Sequence, residues 1–270
     1  MEDITIAAVC MHSEPGRIDE NLARMAGFVR EGANRGAELV CFPELSLTGY
    51  SLGREPGAIS SMDLQEAVAL LRPLSAGSHV TLMAGFCESS GDAGPFITHV
   101  VVGPEGLIGH HRKTHLSPHE KDLYQAGEAI DTFSFCGMTC GIQLCYETHF
   151  PEISTSMALC GAEVLFCPHA SPRGTGEEKL ESWLRHLPAR AFDNGVFVVA
   201  CNQVGKTSAG FYFPGVAVVM DPFGRFETSY TGDEESALVT TLRSDVLRKV
   251  RENHMAYFIP HRRPSLYKPA

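Results

Sequence analysis

Short apolar runs alternate with amphipathic stretches along the whole chain. Runs of strand length predict strands over Ile4–Cys10, Glu38–Phe42, Val80–Phe86, Ile97–Val102, Val164–Cys167, Val196–Cys201, Gly215–Met220 and Ala237–Thr241. Between the first two, Ile18, Leu22, Met25, Phe28 and Val29 fall on one face at helical spacing, and Gly36 closes that helix. Helical patterns also cover Met62–Arg72, Pro151–Cys160, Lys179–Asp193 and Leu242–Asn253. Pro188 should kink the third of these or set a boundary in it. Ser-Ser-Gly-Asp-Ala-Gly over 89–94 predicts a hairpin turn, and Phe133–Cys145 holds a second hairpin around Cys136-Gly137. Asp221-Pro-Phe-Gly224 is a turn, and a proline-bearing tail runs from Ile259 to Ala270.

Strands alternating with helices predict layered α/β architecture, with helices outside two packed sheets or on both faces of one. With 270 residues and neither internal repeat nor linker-like tract, one domain over 1–270 is expected, its extended tail beginning at about 259. A formal charge of −10 and the lack of a basic stripe argue against a nucleic-acid partner. No apolar run approaches the roughly 18 residues of a membrane span, and no secretory leader pattern opens the chain. A soluble, cytoplasmic protein is expected. The nine cysteines agree, being odd in number, mostly inside apolar runs, and without a Cys-x-x-Cys pair.

One cysteine stands apart. The run Met138–Leu144 stops at Cys145, polar residues follow at Glu147, Thr148 and His149, and Pro151-Glu152 opens a helix. A side chain at the carboxyl end of a strand faces the crevice where such folds bind ligands. Two further strand ends carry Glu44 and Lys113. Together these residue types serve a cysteine hydrolase. A thiol is mostly protonated near neutral pH, so a carboxylate must take its proton and later pass it to a leaving amine. The oxyanion of the tetrahedral intermediate needs a cation or backbone N–H donors. Cys145, Glu44 and Lys113 fill those roles, with the Tyr146 N–H as a second oxyanion donor.

The segments Phe42-Pro-Glu-Leu-Ser-Leu-Thr-Gly-Tyr50, His111-Arg-Lys-Thr-His-Leu116 and Gly141–Glu152 resemble the three signatures of the nitrilase superfamily of carbon–nitrogen hydrolases. Similarity continues through Pro188–Gly195, Asn202–Gly205, Asp221–Gly224 and Arg262–Tyr267, so it spans the chain in the expected order. The resemblance implies a four-layer αββα sandwich of two mixed β-sheets with helices outside, no cofactor, and a thioester on Cys145. It makes Glu44 the general base and Lys113 the oxyanion cation. It also implies a second glutamate that positions the lysine, for which Glu120 is the candidate and Glu128 the fallback. Homodimers or larger homo-oligomers are implied as well, through Pro151–Cys160, Lys179–Asp193 and the tail.

Tyr146, following the nucleophile, looks more like the amidase and carbamoylase branches than the nitrile-hydrolysing one, where tryptophan is typical. A small-molecule carboxamide is therefore the expected substrate, with N-carbamoyl-amine or nitrile hydrolysis as alternatives on the same triad. A silent scaffold or binding subunit is the competing class. Tyr50, Tyr146, His149 and Arg173 are the candidate substrate contacts. Some relatives that grip carboxylates place arginine three or four residues past the nucleophile. Thr148 and His149 stand there instead, which leans toward a neutral or amine-bearing amide, with Arg173 as an alternative carboxylate clamp. Trp183 is a pocket candidate too. The cluster His110, His111, His115 and His119 invites a metal reading, but Pro118 interrupts any helix face and no ligand pattern is completed.

Overall fold

The computed structural model describes residues 1–53, 59–91 and 94–267. Positions 92–93 of the expected hairpin turn and 268–270 of the tail lie outside the described residues. The strands, in chain order, are β1 (Ile4–Cys10), β2 (Leu39–Cys41), β3 (Thr81–Glu88), β4 (Phe96–Gly103), β5 (Gly106–Arg112), β6 (Thr132–Phe135) and β7 (Met138–Ile142). They continue with β8 (Val164–His169), β9 (Phe197–Asn202), β10 (Gly205–Lys206), β11 (Tyr212–Phe213), β12 (Gly215–Met220), β13 (Phe226–Gly232) and β14 (Ser236–Leu242). The helices are α1 (Ile18–Asn34), α2 (Leu64–Ser78), α3 (Pro151–Leu159), α4 (Gly176–Leu184), α5 (Leu187–Asn194) and α6 (Ser244–Arg251).

Two six-stranded sheets form, ordered β14-β1-β2-β3-β4-β5 and β6-β7-β8-β9-β12-β13. Read in that direction, both run antiparallel, parallel, parallel, antiparallel, antiparallel. The two halves thus share a pairing plan that no sequence repeat announces.

Strand alternation divides the apolar side chains between layers. Ile4, Ile6 and Ala8 of β1 meet Phe166 of β8 and Val199 of β9 in a core between the sheets. Their neighbours Ala7 and Val9 face outward under Met25 and Val29 of α1 and Leu71 of α2. On the far side, Leu165, Val198 and Val218 are covered by Ile153 and Met157 of α3, Trp183 of α4, and Leu187 and Ala191 of α5. Helix, sheet, sheet, helix is the order of layers, as the resemblance implies.

Several boundaries depart from the sequence pattern. The segment expected as one helix over Lys179–Asp193 is two, with Pro188 in the first turn of α5, where its missing N–H costs nothing. Helix α2 runs through Pro73 to Ser78 instead of stopping at Arg72, anchored by buried Leu71 and Ser75. Leu242 belongs to β14, not to the last helix, which begins at Ser244. Strands β5 and β13, both at sheet edges, carry little apolar pattern, since β5 has one fully buried residue and β13 none. The tail carries two short 3-10 turns, Ile259–His261 and Pro264–Leu266. Among the described residues, no helix is long and apolar enough to cross a membrane.

Candidate active site

Glu44 follows β2, Lys113 follows β5 and Cys145 follows β7, so two sheets deliver their strand ends to one place. Lys113, fully buried, donates from Nζ to Glu44 Oε1 at 2.7 Å and to Glu120 Oε1 at 3.0 Å. Glu44 Oε2 accepts the Ala170 N–H at 2.9 Å, just past β8, which ties the first sheet to the second. Glu120 Oε2 accepts the Ser117 N–H at 2.7 Å. The glutamate beside the lysine is thus Glu120. Glu128 is exposed and lines a different cleft, with His110 and Asp131.

The backbone under Glu44 is set by a close approach. A Cβ at Gly85 would lie 2.3 Å from Leu45 N, so only glycine lets β3 pass beneath this loop. Leu47 N–H then donates to Gly85 O at 2.8 Å, and Gly85 N–H to Ser46 Oγ at 3.1 Å.

Cys145 sits further from its strand than the sequence suggests. Strand β7 ends at Ile142, and Cys145 opens a 3-10 segment, Cys145–His149, with its own φ at +45°. Left-handed backbone costs a non-glycine residue roughly 1–2 kcal/mol, so something must hold this turn. The holder is Glu147, completely buried. Its Oε1 accepts from Thr114 N and Thr114 Oγ1, both at 2.7 Å, and its Oε2 accepts from Leu144 N at 2.6 Å and lies 2.9 Å from His111 Nε2. One carboxylate therefore fastens the residue before Cys145 to the residue after Lys113. At the other end, Thr148 Oγ1 donates to Cys145 O at 2.7 Å, and Arg190 Nε donates to Thr148 O at 2.9 Å. The Tyr146 N–H lies in the first turn of the segment, where backbone donors have no partner within the helix.

The charges are unequal in consequence. Burial raises the Glu44 carboxyl above the usual range; Lys113 opposes that and Glu120 adds to it. Burial works against the Lys113 ammonium, but Glu44 and Glu120 outweigh it and hold its pKa well above the ordinary value. The Cys145 thiol is pushed up by burial and by Glu44, with Lys113 pulling the other way. At rest, then, the sulfur is a protonated thiol beside a carboxylate whose affinity for protons is raised. That arrangement can pass a proton from sulfur to oxygen as the sulfur attacks, and return it to a departing amine.

Cys145 opens onto a cavity of about 250 Å³. Every expected substrate contact lines it. Tyr50 is buried and edge-on to Phe211 at 5.4 Å, Tyr146 packs edge-on to His149 at 5.7 Å, and Arg173 stands at the exposed rim. Trp183 serves both cavity and core, its indole 4.3 Å from the His169 ring. Burial holds His169 neutral, and its Nδ1 lies 2.7 Å from Cys167 O, so that nitrogen carries the proton. The four clustered histidines scatter: His111 to Glu147, His115 against Phe150, His119 to the cavity, and His110 to the cleft with Glu128. Residues that sequence reasoning left without a role are Lys179, His169 and His186, all cavity-lining, and Glu147 beneath the turn. A signal for the first existed, since Lys179, Ser182, Trp183 and His186 recur at helical spacing.

Comparison with known proteins agrees with this geometry. The family model described as carbon-nitrogen hydrolase matches residues 5–252, and the chain belongs to that family. It is a hydrolase of carbon–nitrogen bonds other than peptide bonds. A nitrilase of Pyrococcus abyssi is 28% identical over 98% of this chain and 99% of its own length. An (R)-stereoselective amidase of a Pseudomonas species is 29% identical over 92% of this chain and 88% of its own. A mutant of the amidase from Nesterenkonia sp. AN1, solved with acrylamide added at its active-site cysteine, superposes with a TM-score of 0.81. It is 25% identical over 92% of this chain and 97% of that one.

Proposed function

We propose that the protein is a thiol amidohydrolase that splits a small carboxamide into acid and ammonia, with Cys145 as nucleophile, Glu44 as acid–base, Lys113 as oxyanion cation and Glu120 as the residue that positions Lys113. The observation that carries this reading is the buried trio Glu44–Lys113–Glu120 whose charges reach the Cys145 thiol. Cys145 Sγ attacks the amide carbon while its proton passes to Glu44, and the oxyanion is received by Lys113 Nζ and the Tyr146 N–H. Collapse expels ammonia, which takes the proton from Glu44 and leaves a thioester. Water, deprotonated by Glu44, then attacks the thioester, releasing the acid and restoring the thiol. Tyr50, whose hydroxyl stays protonated because burial and the charges of Glu120 and Glu44 raise its pKa, is a neutral wall of the substrate pocket.

The test is ammonia release from a panel of amides, ureido acids and nitriles, by wild type and Cys145→Ala in parallel. Amide turnover by wild type alone is expected. Carbon dioxide from ureido acids, or acid from nitriles without free amide, would move the protein to a neighbouring branch. Selective alkylation of Cys145 separates an active thiol from a silent scaffold.

We assign the whole chain to one domain in a reducing, cytoplasmic setting, supported by its nine free cysteines. Two-fold pairing through α3, α5 and the tail is proposed on the exposed apolar residues Leu159, Phe192, Phe258 and Leu266. A monomer by light scattering would contradict it.

A further inference from the structure

Among the described residues, five non-glycine residues have left-handed backbone: Leu45, His79, Cys136, Cys145 and Arg173. Two have plain structural duties, since His79 caps the C-terminus of α2 and Cys136 turns the β6–β7 hairpin. Leu45 adjoins Glu44, and Cys145 is the proposed nucleophile. Arg173, at φ +78°, is left without such a duty. Its N–H donates to Tyr212 O at 2.9 Å, which sets the loop so that the side chain stands at the mouth of the cavity. Strain retained at a cavity wall is a pointer to function.

The cavity holds a second cation deeper in. Lys179, half-buried on α4, donates from Nζ to Ser171 Oγ at 2.8 Å and to Pro172 O at 3.2 Å. Those neutral acceptors fix the ammonium without neutralising it. Among the described residues, no carboxylate lies within ion-pair distance of Lys179 or Arg173, whereas Lys113 has two. A charge withdrawn from water without a counter-charge is costly, so the half-buried Lys179 ammonium calls for an anion to complete it, and the exposed Arg173 adds a second positive group at the mouth of the same cavity. The oxyanion of the reaction does not supply it, because that role falls to Lys113.

We propose that Lys179, with Arg173 at the rim, anchors a carboxylate carried by the substrate, making the preferred substrates small half-amides of dicarboxylic acids. This rests on the amide-hydrolysis reading. A primary amide loses only ammonia on its nitrogen side, so the carboxylate sits on the acyl chain. The lean toward neutral amides drawn from Thr148 and His149 gives way here, because the cationic contacts come from the loop after β8 and from α4, not from the turn after the nucleophile. His149 does not serve in their place: burial and the nearby Arg190 lower its pKa, leaving it a weaker grip on an anion.

The test compares succinamate with butyramide, an uncharged amide of the same chain length, in wild type, Lys179→Met and Lys179→Arg. Wild type should favour succinamate in kcat/KM. That preference should fall about 100-fold in Lys179→Met, carried mainly by KM, and recover in part in Lys179→Arg. An unchanged ratio in Lys179→Met, or a wild type that favours butyramide, overturns the anchor. Protection of Cys145 from iodoacetamide by succinate provides a readout without turnover. It should occur in wild type and vanish in Lys179→Met, with thermal unfolding confirming that the variant is folded. If neither amide is hydrolysed, the amidase reading fails while protection still decides the anchor: succinate that does not protect wild type overturns it.

Discussion

Two buried glutamates act on the Cys145 turn, and they have opposite characters. Glu44 shares a lysine with Glu120 and accepts one backbone N–H, and burial raises its pKa. At Glu147, burial would do the same, but His111, Thr114 and the Leu144 N–H outweigh it and hold the carboxyl down at about 2. Equal burial thus gives a proton acceptor in one place and a permanent anion in the other. The difference lies in the donors. A carboxylate that competes for one cation keeps an appetite for protons, whereas one saturated by hydroxyl, amide and imidazole becomes a structural fastener. The Cys145 turn depends on both, one for its chemistry and one for its shape.

The comparison breaks most visibly at Glu44. Glu44→Gln removes the proposed acid–base while keeping the volume, and should lower kcat by roughly 10³- to 10⁴-fold with little loss of fold. Retained turnover would remove the contrast altogether. Next comes Lys113→Met, which takes away the proposed oxyanion cation and should cost roughly 10²- to 10³-fold in kcat. It also leaves Glu44 and Glu120 facing each other, so one of them should hold a proton at neutral pH, visible as a carboxylic-acid band by infrared difference spectroscopy.

Glu147→Gln tests the opposite side. The folded pKa of Glu147 is depressed from 4.5 to about 2. Its contribution is therefore present above the unfolded value and lost as pH falls from about 5 toward 2. By linkage that is about 3 kcal/mol. Denaturant titrations should show wild type losing stability across that window, and Glu147→Gln both weaker at pH 7 and flatter below pH 5. For Glu44 the sign reverses: taken alone, its raised pKa favours the folded state at low pH and the benefit fades as pH rises through the folded value. The smallest effect is expected from Gly85→Ala, whose Cβ would collide with Leu45 N. A loss of roughly 1–3 kcal/mol is expected from overpacking, together with a lowered kcat because the collision displaces Glu44.

Much of this site was legible in residues. Glu44, Lys113 and Cys145 stand at ends of apolar runs, where residue type alone suggests chemistry, and the resemblance supplied Glu120. Alternation predicts layered α/β architecture with one sheet or two, and the resemblance supplies the two-sheet sandwich; edge strand β13 carries no apolar signature because it is only partly buried. What the sequence hides is partnership across the sheets. Glu147 reads as an exposed polar residue after a strand, and its role emerges only when β5 brings His111 and Thr114 against it. Lys179 opens a helical pattern in the sequence, and its partners appear only when the loop after β8 folds Ser171 over it. Long-range contacts made by polar side chains leave no local period: the helical spacing of Lys179, Ser182, Trp183 and His186 marks a shared face but not what that face meets.

In the proposed reaction Cys145 carries the acyl group and Glu44 moves its proton. Rapid quenching during amide turnover, followed by intact-mass and peptide mapping, addresses it directly. An acyl adduct is expected on the peptide containing Cys145, absent in Cys145→Ala and accumulating more slowly in Glu44→Gln. An adduct mapped to another cysteine, or amide turnover by Cys145→Ala, would contradict it.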